Sequence, residues 1–148
     1  MPLAAYLRDV NVSVKSEYAA RAVLSLARHY ATGAVVRTED VAREQGIPPH
    51  YLSLIMVELK DEGIVQSVRG KEGGYLLARP PAEITLGDVL CAVQAALFES
   101  PAARTQKGSP ELQRAWKNLQ QSFKSAADAV TFQQLLEEAS GKEKMYYI

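Results

Sequence analysis

The spacing of apolar residues changes abruptly at Gly63. Before it they recur at helical steps. After it, Ile64-Val65-Gln66-Ser67-Val68 reads as a strand, and Tyr75-Leu76-Leu77-Ala78 as the returning one. Between them, Arg69-Gly70-Lys71-Glu72-Gly73-Gly74 holds three glycines in six residues, the composition of a tight loop. Upstream lie three helical stretches. Ser16 to Ala31 places Tyr18, Ala19, Ala22, Val23, Leu26, Ala27 and Tyr30 on one face, and Gly33 follows. Thr38 is the expected N-cap of a short second helix, with Glu39 and Asp40 in its first turn and a stop at Gly46. Pro48-Pro49 opens a third, whose apolar ridge is Leu52, Ile55, Met56 and Leu59. Three short helices and a hairpin form the winged helix-turn-helix order. Its third helix is narrow enough for a major groove, and its hairpin loop reaches the neighbouring groove or backbone.

Beyond Pro80-Pro81 the chain turns helical again. Thr85-Leu86-Gly87-Asp88 is a cap-like start for a helix through Phe98. A Pro/Gly/Ser/Ala-rich loop, Ser100 to Pro110, precedes a long helix over about Glu111 to Ala127. On it Leu112, Trp116, Leu119, Phe123 and Ala126 step by four, three, four and three, a heptad seam suited to packing helix on helix. Thr131-Phe132-Gln133-Gln134 is a capping box for a last helix that Gly141 is expected to end. The expected fold is mainly α: a winged helix-turn-helix over residues 14–82, a helical dimerisation region over 83–140 built on a long C-terminal helix, and a tail over 141–148.

Composition narrows the function classes. At 148 residues and 47% apolar, the chain can bury a core without staples. One cysteine, Cys91, forms no internal disulfide and cannot supply the ligands of a cysteine-based metal site within one chain. The longest apolar run, Val89 to Phe98, is short and broken by Gln94, so no membrane span is expected. No basic stretch followed by an apolar core marks a signal peptide, and the expected location is cytoplasmic. His29 and His50 are the only histidines, and no nucleophile, base and orienting group can be assembled into an enzyme site. His29, close to a helix C-terminus, reads as a favourable end charge. The net charge is zero, so any case for nucleic acid rests on where individual charges sit.

Those positions favour DNA. Arg69 and Lys71 put positive charge on the glycine loop, and Arg69 to Arg79 carries a local excess of two. Gly70, Gly73 and Gly74 permit close approach of the backbone to phosphates. His50 and Ser53 reach bases from the start of the third helix, while Leu54 and Val57 suit thymine methyls. Lys15, Thr38, Pro49 and Tyr51 complete the expected DNA-facing set. The bland alternative is a small helical core with a surface hairpin that binds nothing.

From Val14 to Val93 the chain resembles the IscR/NsrR/CymR family of bacterial winged-helix regulators. Tyr18-Ala19, Tyr51-Leu52 and the run from Gly63 to Tyr75 carry the resemblance; that run follows the family's wing pattern, Leu-Val-x-Ser-x-Arg-Gly-x-x-Gly-Gly-Tyr. Trp116 matches its dimerisation helix. The resemblance implies a homodimer whose two heads bind a roughly palindromic double-stranded operator, most often as a repressor. Members that sense iron–sulfur status or nitric oxide place three cysteines before the long helix. Here residues 95–110 contain none, and Pro110 and Gln113 stand where relatives place ligands, so no cofactor is expected. The third helix also departs from the family: Ser53 and Leu54 replace a usual Glu-Gln, and Glu58 and Asp61 replace basic residues. These two carboxylates repel phosphates unless Lys60 and the wing offset them.

The ending Met145-Tyr146-Tyr147-Ile148 is similar to the C-terminus of the cluster-free member that represses cysteine metabolism. The likeness implies cysteine synthase as a partner, its substrate-carboxylate site taking the terminal carboxylate and an apolar pocket taking Ile148. The alternative for these residues is folding back onto the dimer. The alternative for the whole chain is an enzyme-docking regulatory protein that acts through its tail and binds DNA weakly.

Overall fold

The computed structural model describes residues 12–98 and 108–146, with side chains to Gly141. Helix α1 (Val14–Arg28) starts at Ser13, whose Oγ accepts from the Ser16 amide at 3.1 Å. Its inner face buries Ala19, Ala22, Val23, Leu26 and Ala27. The helix stops at Arg28, earlier than Ala31. A 3₁₀ turn over Tyr30–Thr32 follows, and Tyr30 stands outside the core rather than on the buried face.

Helix α2 (Thr38–Gln45) corrects a second expectation. Arg37, not Thr38, occupies the cap position, and no side chain caps this end. The cause is tertiary. Val36 is bridged to Tyr75 by two backbone hydrogen bonds; the extended stretch ends at Arg37, and the helix begins at Thr38, one residue earlier than a Thr38 cap would place it. Helix α3 (Pro49–Asp61) follows after a short turn, with Pro49 in the first turn, where its missing N–H has no helical partner.

Strands β1 (Val65–Val68) and β2 (Gly74–Leu77) pair antiparallel, Val65 opposite Leu77 and Val68 opposite Gly74. Tyr75, opposite Ser67 in this hairpin, is also bridged to Val36, which lies outside it.

Helix α4 (Leu86–Val93) begins with the expected capping box: Thr85 Oγ1 accepts from the Asp88 amide and the Asp88 carboxylate accepts from the Thr85 amide. It ends at Val93 rather than Phe98. Gln94 leaves helical geometry (φ −146°, ψ 54°), and a 3₁₀ turn, Ala95–Phe98, continues. The Gln94 side-chain oxygen accepts from the Ser13 amide at 3.1 Å and from the Ser16 hydroxyl. That contact fixes Gln94 to the start of α1, and its backbone bends accordingly.

Helix α5 (Pro110–Asp128) is capped by Ser109. Helix α6 (Phe132–Tyr146) starts at the expected Thr131–Gln134 capping box. Gly141 does not end it. This glycine keeps a negative φ, and helix-forming Lys142, Glu143, Lys144 and Met145 follow, so the helix continues to Tyr146. Tyr147 and Ile148 lie outside the described residues.

A single buried cluster joins these elements. Val23, Leu26, Leu52, Ile55, Met56, Leu59 and Leu77 meet Ile84, Val89 and Phe132 in it. Phe132 is wholly buried, so the last helix packs into the same core as the three-helix head. Two backbone bonds hold this junction: Leu86 N–H to the Val130 carbonyl, and Phe132 N–H to the Ile84 carbonyl.

Candidate nucleic-acid interface

The two faces of α3 differ sharply. Leu52, Ile55, Met56 and Leu59 are fully buried, which fixes the helix on the head. The opposite face presents His50, Ser53, Leu54, Val57 and Lys60 to solvent. Leu54 and Val57 remain 53% and 49% exposed, an apolar pair left uncovered beside polar groups. That combination suits a base-reading face, where thymine methyls and hydrogen-bonding edges alternate. Ser53 Oγ donates to the Pro49 carbonyl at 3.0 Å, which leaves its lone pairs to accept. Pro49 is exposed in the first turn, and Thr38 is half-buried at the start of α2. The Tyr51 ring is half-buried and meets Tyr18 edge to face, centroids 5.8 Å apart, so its body anchors α3 to α1.

Lys15, expected to face DNA, lies in the first turn of α1 and forms an ion pair within the head. Its ammonium contacts Glu58 Oε1 at 2.7 Å, joining the first turn of α1 to the last turns of α3. The other oxygen, Glu58 Oε2, is buried without a hydrogen-bond partner among the described residues.

In the wing, Arg69, Gly70, Lys71 and Glu72 are exposed, and neither Arg69 nor Lys71 has an ion-pair partner among the described residues. Gly70 adopts φ 118°, which a side chain rarely tolerates. Arg79 does not add to this charge. It turns away, donating to the Glu83 carbonyl at 2.9 Å and lying 3.8 Å from Asp88. The wing tip therefore carries an excess of one positive charge rather than two.

Two of the wing glycines, Gly73 and Gly74, are also required by the protein's own packing. A side chain at Gly73 would collide with the Val68 carbonyl, and one at Gly74 with the Val36 carbonyl. Their missing Cβ atoms serve the protein's own turn and bridge. Val36, absent from the sequence-derived set, is thus part of the wing's foundation. The pair Val35-Val36 before α2 is too short a run to reveal this.

On α5, Leu112, Trp116 and Leu119 are 50%, 44% and 62% exposed. Phe123 is half-buried, its ring 5.6 Å from Phe98 of the same chain. The seam thus splits: its three large residues Leu112, Trp116 and Leu119 face outward together with Ala126, and Phe123 is held internally. Cys91 is half-buried on α4, and burial pushes its thiol pKa up. Among the described residues, no three His, Cys, Asp or Glu side chains converge as metal ligands. No described helix is long and apolar enough to cross a membrane.

Residues 12–138 match the model of the Rrf2 family, described as an iron-dependent transcriptional regulator. A helix-turn-helix-type transcriptional regulator of Mycobacterium tuberculosis is 51% identical over 81 residues, which cover 55% of this chain and 50% of that protein. The match therefore spans about half the length of that relative. CymR of Bacillus subtilis is 26% identical over 137 residues, 93% of this chain and 97% of that one. Among solved structures, IscR of T. potens superposes with a TM-score of 0.74 at 28% identity, covering 90% of each chain. CymR, the global cysteine regulator of B. subtilis, superposes with a TM-score of 0.73 at 25% identity, covering 87% of this chain and 98% of its own.

Proposed function

Because the chain belongs to the Rrf2 family of DNA-binding transcriptional regulators, we propose that it is a dimeric repressor that reads a roughly palindromic operator without an iron–sulfur cluster. The observation that carries this reading is the exposed face of α3, His50, Ser53, Leu54 and Val57, beside a wing whose Arg69 and Lys71 have no ion-pair partner. The base-reading set is α3's outer face with Pro49. Arg69, Gly70 and Lys71 follow the backbone or minor groove, while Thr38, Tyr51, Gly73 and Gly74 hold these parts in place. Two heads are joined through Leu112, Trp116 and Leu119, with Phe123 supporting the seam from within.

The residues present do not fit a cluster. The sequence holds one cysteine, and Cys91 sits half-buried on α4 with its thiol pKa pushed up by burial, whereas cluster ligation needs several thiolates. The signal is therefore of another kind. Near-complete coverage of CymR supports cysteine or sulfur metabolism as the regulated process. On that reading, Met145, Tyr146, Tyr147 and Ile148 dock on cysteine synthase.

Selection of duplexes from a random library, followed by anisotropy titration, tests the core of the proposal. The expected result is enrichment of a sequence with two-fold symmetry, bound by two chains. Absence of any enriched duplex would overturn it. For the tail, loss of cysteine synthase capture on deletion of Ile148, with the dimer intact, is the expected outcome; a full-length chain that never captures the enzyme removes that partner.

A further inference from the structure

Lys15 and Glu58 form the one ion pair on this face that ties α3 to another helix of the head among the described residues. Glu58 follows Val57 and lies one turn beyond Leu54, so it borders the face assigned to bases. An ionised carboxylate there repels the phosphates flanking a major groove, and few cations on α3 counter it. Lys60 is two residues on, and Asp61 follows it. The ammonium that meets Glu58 comes instead from α1, at 2.7 Å, with both side chains partly shielded from solvent. The first turn of α1 is itself held, by Ser13 and Ser16 on Gln94. Lys15 is therefore delivered to Glu58 by a fixed piece of backbone.

We infer that Lys15 is a positioning residue that acts on DNA through Glu58: it neutralises and holds the carboxylate so that the outer face of α3 can enter the groove. This rests on the DNA-binding reading above, and it replaces a direct phosphate contact by Lys15. The two roles differ in one respect. A lysine that contacts phosphate matters whatever stands at residue 58. A lysine that masks Glu58 matters only while Glu58 carries its charge.

The test is a double-mutant cycle on the full chain, with a duplex enriched by the wild type. Lys15→Met keeps the aliphatic stem, and Glu58→Gln keeps the shape while removing the charge. K15M alone is expected to weaken binding about tenfold, the scale of one lost interface charge. In the E58Q background the same K15M change is expected to alter binding by less than about twofold. Melting curves of all four proteins accompany the titrations, and K15R serves as a second variant that preserves the pair. An equal loss from K15M in both backgrounds would make Lys15 a phosphate contact and overturn the inference. So would a K15M protein that binds like the wild type, or a K15R protein as weak as K15M while folded. A wild type that enriches no duplex overturns the DNA reading itself, and this inference with it.

Discussion

Val36 and Tyr75 exchange both of their backbone hydrogen bonds, at 2.9 and 2.8 Å. This single rung, between residues 39 positions apart, ties the wing to the chain entering α2. It also sets how closely Gly74 approaches the Val36 carbonyl. The position of the wing relative to α3 follows from that contact, because α2 and α3 are consecutive and share the head's core.

Gly74→Ala forces the new methyl into the Val36 carbonyl. Overpacking of this kind typically costs about 1–3 kcal/mol. A lower melting temperature is expected, with loss of operator binding that exceeds the loss of stability. A variant as stable and as tight-binding as the wild type would show that the rung yields freely.

At the wing tip, Arg69→Ala should weaken operator binding by roughly 1–3 kcal/mol, and Lys71→Ala should chiefly lower the salt slope by about one. Anisotropy titrations across a salt series separate the two. Unchanged affinity and slope in both variants would leave the wing a structural hairpin.

Leu119 is the most exposed of the three large outward seam residues on α5. Leu119→Glu should convert a sedimenting dimer to a monomer while leaving the melting of the head nearly unchanged, since this side chain is little covered by its own chain. Phe123→Glu is a poorer probe, because it also breaks the contact with Phe98. A wild type that sediments as a monomer would sink the dimer.

Phe132 is wholly buried in the head's core although it belongs to the last helix. Truncation to alanine should cost about 3–5 kcal/mol, typical of removing a buried aromatic. Chemical denaturation should then show the whole head destabilised. A loss confined to the C-terminal helix, with the head's transition unmoved, would contradict a shared core.

Cys91 should be a slow thiol. Desolvation is the largest influence and raises its pKa; Lys124 opposes this, while Asp128, Asp88 and Glu62 add to it. A raised pKa leaves less thiolate at any given pH, so alkylation by iodoacetamide at pH 8 should lag behind a cysteine peptide and match it only after unfolding. Equal rates in the folded protein would show that the thiol is not shielded.

Much of the fold is legible in the sequence because it is written in local terms. The ridge Leu52, Ile55, Met56 and Leu59, the Thr85–Asp88 and Thr131–Gln134 boxes, and the glycine-rich loop between two short strands each signal their element within a few residues. The outer face of α3 follows from the ridge, since a helix that buries one side must present the other. What the sequence leaves open depends on contacts between distant positions. Lys15 has a basic side chain on any reading, and only the packing of α1 against α3 brings it to Glu58. Arg79 counts as wing charge until the fold turns it to Glu83 and Asp88. Gly141 looks like a helix stop, yet the helix-forming residues after it carry α6 onward. Local preference selects helix, strand or turn at modest free-energy differences, whereas burial and charge pairing across the core decide which partner each residue meets.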